Sequence, residues 1–199
     1  MNISDIVKDL ETIESELEGI RGITIFGSSR LKEDSIEYKK AKELGKALSD
    51  NGYCVITGGS GGIMEASNRG AKESGKSQSI GIHIKNLPNE ERPNSYLDKK
   101  LELNYFCTRK LALMNDSIAY IIMAGGFGTL DEFFEILNLI RTNNHKRVPV
   151  ILFGSDYWSG LYEFITGTML EYQTISREDL DIISLCDKVD EVLNILRSR

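Results

Sequence analysis

The sequence predicts an α/β fold, a doubly wound parallel sheet in a single domain covering residues 1–199. Three observations predict it. Short strand-like runs are apolar throughout instead of alternating, as in strands covered on both faces. Stretches of helical periodicity separate these runs, which supplies the cover. Two glycine-rich turns stand where such a run ends and a helix begins, the place at which open α/β sheets bind ligands. At 199 residues, 41% of them hydrophobic, the chain can fill one core and needs no second.

Each element follows in order. Residues 1–19 read as an amphipathic helix, because Ile3, Ile6, Val7, Leu10, Ile13 and Leu17 recur at three- and four-residue steps between acidic residues. It is expected to pack outside the sheet. Ile23 to Phe26 forms a strand ended by Gly27-Ser28-Ser29, and a helix follows from about Ser35 to Asp50. The unit repeats with a strand at Tyr53–Thr57, a turn at Gly58–Gly62 and a helix at Ile63–Ser74. Ser79–Ile84 is the third strand. A polar stretch with Pro88 and Pro93 then reads as irregular, a kind of loop that often carries function. It leads into an apolar run at 101–106. A helix at Thr108–Asn115, a strand at Ile118–Met123, a turn at Gly125–Gly128, a helix at Leu130–Arg141 and a strand at Val148–Phe153 follow. The last third holds a helix around Tyr157–Glu171, a short apolar run at Leu180–Leu185 and a helix from Asp187 to Arg197, opened by an acid as the helix dipole favours. Residues 172–199 are read together as a helical extension of this Rossmann-like, nucleotide-binding domain.

Charge and cysteine content narrow the function. A formal charge of −6 gives no electrostatic reason to bind nucleic acid or an anionic membrane, so a phosphate must be held by local features. No apolar run approaches the roughly 20 residues needed to span a bilayer, and no secretory signal is seen. Cys54, Cys107 and Cys186 have no metal-like spacing; reduced thiols in a cytoplasmic protein are expected, without a metal or cofactor.

The two glycine loops are Thr57-Gly58-Gly59-Ser60-Gly61-Gly62 and Ala124-Gly125-Gly126-Phe127-Gly128-Thr129, each just before a helix. A backbone without Cβ atoms can approach an anion closely, and free N–H groups at a helix start point at it. Neither loop has the dinucleotide fingerprint or the Gly-Lys-Ser/Thr of a P-loop, which argues against hydride transfer and ATP hydrolysis. The glycines could also merely form tight turns. Glu132 lies close to the proposed anion, where a pure anion pocket gains nothing from a carboxylate. The spacing Thr129-x-x-Glu132 equally fits a capping box, and sequence leaves both readings open.

The second loop resembles the PGGxGTxxE signature of the LOG (Lonely Guy) family, cytokinin riboside 5′-monophosphate phosphoribohydrolases often labelled lysine decarboxylase. Phe106-Cys107-Thr108-Arg109-Lys110 resembles the family's Arg-Lys signature, and Phe26–Arg30, Gly58–Ala71 and Gly81–Tyr96 resemble its other segments, over roughly residues 20–170. Ala124 replaces the signature proline, and Ser60 and Gly62 replace glycine and proline in the first loop. The resemblance implies a hydrolase that cleaves the N-glycosidic bond of a nucleoside 5′-monophosphate, of the AMP or cytokinin riboside monophosphate type. It names Arg109 and Glu132 as the catalytic pair, and it implies a homodimer or higher homo-oligomer. For substrate and phosphate binding the expected residues are Ser28, Gly59, Ser60, Gly61, Lys110, Gly125, Gly126, Gly128 and Thr129. A carboxylate near C1′ would stabilise the positive charge that develops there, and the arginine fork would hold phosphate or ribose oxygens.

His83 and His145 are isolated, Cys107 is read as packing, and Met64, Met114 and Met123 as core. No residue is assigned as general acid for the leaving base. Two rivals stand beside this reading. One is a non-catalytic nucleotide-binding or molybdenum-cofactor-binding carrier. The other is a pyridoxal phosphate decarboxylase, which needs a Schiff-base lysine that no motif here marks.

Overall fold

The computed structural model describes residues 2–85, 92–115 and 117–198, so Pro88 of the polar stretch lies outside the described residues. In chain order the elements are α1 (Ile3–Leu17), β1 (Gly22–Phe26), α2 (Ile36–Asp50), β2 (Cys54–Thr57), α3 (Ile63–Ser74), β3 (Ser79–Ile84) and β4 (Lys99–Leu103). Next come α4 (Phe106–Met114), β5 (Ala119–Ile122), α5 (Phe127–Arg141), β6 (Val150–Phe153), α6 (Ser155–Glu163), α7 (Arg177–Leu180), β7 (Ile183–Cys186) and α8 (Val189–Arg197). A π-helical segment, Phe164–Met169, continues α6.

The seven strands pair in parallel throughout, in the order β4-β3-β2-β1-β5-β6-β7. The chain winds outward from β1 to β4, crosses back, and winds outward again from β5 to β7. The reversal between β1 and β5 is the switch point of a doubly wound sheet, where the loops leaving two neighbouring strands diverge and open a crevice.

Alternation along each strand divides the core into two layers. Ile23, Ile25, Ile121, Ile151 and Phe153 pack with α2, α3 and α8, while Phe26, Tyr120, Ile122, Val150 and Leu152 pack with α1, α4, α5 and α6. Helices α2 and α3 approach so closely that a Cβ at Gly70 would stand 1.9 Å from the Lys42 carbonyl oxygen.

Several elements differ from the sequence reading. The apolar run expected at 101–106 is an edge strand over Lys99–Leu103, alternating because only one face is covered: Leu101 and Leu103 are buried and Lys100 and Glu102 exposed. Residues 172–199 are not merely a helical extension. They supply β7, which pairs with β6 and completes the sheet. Helix α1 turns Asp9 inward at 2% exposure and leaves Ile3 78% and Leu10 43% exposed, so the apolar stripe is buried only at Ile13 and Leu17. Among the described residues no helix is long and apolar enough to cross a membrane.

Candidate functional site

A crevice of about 590 Å³ opens at the switch point, lined by the loop after β1 (Gly27 to Arg30), the start of α4 and the start of α5. Its loops are fixed by main-chain bonds. The Ser28 N–H donates to the Ala124 carbonyl at 2.9 Å, and the Ile63 N–H donates to the Ser28 carbonyl at 2.9 Å. The Tyr157 hydroxyl donates to the Gly125 carbonyl at 2.7 Å.

Helix α5 begins at Phe127, three residues earlier than the periodicity suggests, with Gly126 as its N-cap and no side chain capping it. Thr129 is therefore the third helical residue and cannot be an N-cap. The Thr129-x-x-Glu132 capping box does not exist, and Glu132 lies half-buried in the second turn, lining the crevice. The main-chain N–H groups of Phe127, Gly128 and Thr129 precede the first intrahelical bond, from Leu130 N to Gly126 O at 3.0 Å, and form the positive end of the helix dipole.

The glycines of this loop fall into two kinds. A Cβ on Gly125 would sit 2.2 Å from Thr129 Oγ1, so that glycine is required by packing. At Gly126 and Gly128 a Cβ would meet nothing within 4 Å, and neither has a positive φ. Neither turn geometry nor packing calls for glycine at those two positions. What their bare backbone provides is open space over the helix start.

The first glycine loop is placed differently from the expectation. Gly59, Ser60 and Gly61 do not line the crevice; Gly59 and Ser60 are buried, and their carbonyls accept bonds from the Asn94 side-chain amide at 2.9 and 3.1 Å. The loop instead makes room for Arg109. This arginine is 9% exposed and reaches from α4 beneath the loop, where Nε donates to the Ile82 carbonyl at 2.9 Å and Nη2 to the Gly58 carbonyl at 3.3 Å. A Cβ on Gly58 would stand 2.2 Å from Nη2. Asn94 belongs to the Asn-x-Tyr of the family-like segment Gly81–Tyr96, and sequence reasoning assigned it no role.

His83 also packs under this loop, 3% exposed, and its Nε2 has no hydrogen-bond partner among the described residues. Burial, then the charges of Arg109 and Lys100, push the imidazole down to about 4, so it is neutral at pH 7. His145 bonds to the Tyr120 hydroxyl and the Met114 carbonyl, a structural role.

Lys110 lines the crevice, but its ammonium pairs with Asp131 at 2.6 Å and Glu135 at 2.5 Å, tying α4 to α5. Burial opposes its charge; the two carboxylates outweigh that and raise its pKa. Lys110, expected to bind substrate or phosphate, thus lines the crevice with its charge already shared by two carboxylates. A lysine held protonated in this way also does not fit a Schiff base with pyridoxal phosphate, which begins from the neutral amine. Cys107, read as packing, is exposed, because it faces outward from α4. Met64, read as core, is 8% exposed and also lines the crevice. Among the described residues no group of three His, Cys, Asp or Glu side chains is arranged to hold a metal.

Comparison with known proteins places this geometry in context. A family model described as "Possible lysine decarboxylase" matches residues 64–196, two thirds of the chain. A cytokinin riboside 5′-monophosphate phosphoribohydrolase of Arabidopsis thaliana is 31% identical over 147 residues, covering 73% of this chain and 67% of that protein. One of the same name from Mycobacterium tuberculosis is 24% identical over 153 residues, covering 77% of this chain and 81% of that protein. Among solved structures, the molybdenum cofactor binding protein of Rippkaea orientalis superposes with a TM-score of 0.64 at 22% identity, over 90% of this chain and 95% of that one. At that identity the likeness establishes the fold alone.

Proposed function

The chain belongs to the LOG family, whose model carries the description of possible lysine decarboxylase, and from that premise we propose that it hydrolyses the N-glycosidic bond of a nucleoside 5′-monophosphate. The products are the free base and ribose 5-phosphate. One observation carries the reading above the others: a helix start cleared of side chains at Gly126 and Gly128 lines the same crevice as Glu132 and Arg109.

In this reading the 5′-phosphate sits on the free N–H groups of α5, with the Thr129 hydroxyl beside them and Arg109 completing the charge. The ribose then extends along α5 towards Glu132. As the bond from C1′ to the base nitrogen lengthens, its electron pair leaves with the base and positive charge gathers on C1′ and the ring oxygen. Glu132 stabilises that charge and orients a water whose oxygen bonds to C1′. The water's proton and the proton taken up by the base balance the step. The same site explains why a nucleoside lacking the phosphate should be a poor substrate. We propose a homodimer for the working molecule and a cytoplasmic setting, which suits its three free cysteines.

Incubation with a panel of nucleoside 5′-monophosphates and the matching nucleosides, followed by chromatography for free base, tests the reaction. Release from monophosphates alone is expected. Glu132→Gln should lower kcat about 10²-fold while the monophosphate still binds, because the lost charge acts chiefly in the transition state. Arg109→Ala should weaken both binding and turnover. Tight binding of a monophosphate or of molybdenum cofactor with no base released from any substrate would make the chain a carrier and refute the hydrolase.

A further inference from the structure

Helix α4 carries Arg109 but lacks a cap of its own. Its N-cap residue is Tyr105, which makes no side-chain cap bond. Tyrosine cannot serve the first-turn N–H groups as Ser, Thr, Asp or Asn do. A side chain from elsewhere in the chain ties down this helix start instead. Asp9 of α1, 2% exposed, takes three hydrogen bonds at this point: from the Asn104 N–H at 2.8 Å, the Asn104 side-chain amide at 2.6 Å and the Thr108 hydroxyl at 2.6 Å. Thr108 immediately precedes Arg109. A second tether runs from the Asn2 N–H to the Tyr105 hydroxyl at 2.8 Å.

We propose that Asp9 is a positioning residue for Arg109, tying the start of α4 to the N-terminal helix through Asn104 and Thr108 and so fixing the guanidinium beneath the first glycine loop; this rests on the role given to Arg109 in the proposed reaction. A buried carboxylate is costly unless its oxygens are satisfied, and here three donors converge on it. Its negative charge also meets the positive end of α4. The alternative use of that position, burial of Leu10 or Val7, would add apolar area but leave the Thr108 hydroxyl and the Asn104 amide without this acceptor.

The test reads the position of Arg109 without requiring turnover. Parent, Asp9→Ala, Asp9→Asn and Glu16→Ala proteins are treated with phenylglyoxal, and modification of Arg109 is followed by peptide mass spectrometry beside kcat and KM per folded molecule. Glu16→Ala is the control, because it loosens α1 only at its Lys99 pair. Asp9→Ala should raise Arg109 labelling about fivefold and lower kcat/KM about tenfold or more, the scale of a misplaced catalytic group. Asp9→Asn retains two acceptor bonds and, with the Asn104 amide turned over, the third contact, so it should restore both readings to within about threefold. Glu16→Ala should match the parent. Unchanged Arg109 labelling in folded Asp9→Ala, or a loss of activity that only follows the folded fraction, overturns the proposal. If Asp9→Ala does not fold, Thr108→Val removes one of the three bonds, and unchanged labelling there overturns it equally. A parent that releases no base counts against the reaction alone, since the labelling arm stands without it.

Discussion

Arg109 is 9% exposed, and its hydrogen-bond partners among the described residues are two main-chain carbonyls, which carry no opposite charge. Gly58 is what allows it to lie there. Gly58→Ala should displace the guanidinium and reduce kcat/KM about 10²-fold, while circular dichroism shows the fold retained, because Gly58 has no positive φ. Full activity in that variant would remove Arg109 from the mechanism. His83 gives a second prediction at this scale. An ordinary histidine titrates near 6.5 and this one at about 4, so between those values the unfolded chain takes up a proton that the fold does not. Its contribution is complete above about 6.5, falls with pH, and is gone by about 4. The loss is on the order of 3 kcal/mol. Urea midpoints of parent and His83→Gln, compared at pH 7.5 and 4.5, should show a smaller drop in the variant; equal drops would mean that His83 does not couple to folding.

Among the elements, α5 separates a structural glycine from a functional one. Gly125 is held by Thr129, whereas Gly128 occupies the second helical position with open space above it. Alanine is the better helix former by up to about 1 kcal/mol. Gly128→Ala should therefore keep or slightly raise the thermal midpoint while raising KM for a monophosphate about tenfold, since the added methyl stands where the phosphate would approach. The two readings must move in opposite directions. A variant with unchanged KM would show that this helix start is not the phosphate site.

At the scale of the whole molecule, the rim of the crevice is unusually apolar for an exposed surface. Phe106 of α4 and Phe127 of α5, which line the crevice, are 58% and 92% exposed, and elsewhere on the same two helices Leu111 and Phe134 are 53% and 40% exposed. Apolar groups gathered on adjacent helices in this way mark an interaction surface. A second copy of the chain is the proposed occupant. Light scattering coupled to gel filtration should give twice the monomer mass of 22.3 kDa, and Phe127→Asp should shift the molecule towards monomer. A monomer with full activity at assay concentration would refute the dimer.

The sequence by itself determined the parallel, doubly wound class and the inner strands of the sheet. Runs such as Ile23–Phe26 and Ala119–Ile122 are apolar at every position, and only strands covered on both faces can be so. Glycine after a strand and before a helix likewise located the loops of the crevice, because that signal is local to the backbone. What tertiary structure decided is where polar side chains end. Asp9 looked like a solvent residue of an amphipathic helix until Asn104 and Thr108, 95 and 99 residues away, came to meet it. Lys110, expected beside a phosphate, is paired with Asp131 and Glu135 of α5, and the carbonyls of Gly59 and Ser60, expected beside a ligand, accept from Asn94. Even the start of α5 moved from Leu130 to Phe127, which removed the capping box and left Glu132 facing the crevice. An apolar pattern is written along the chain because burial depends on local periodicity. A polar partner is chosen by whatever the fold brings within 3 Å, and spacing in sequence does not encode that distance.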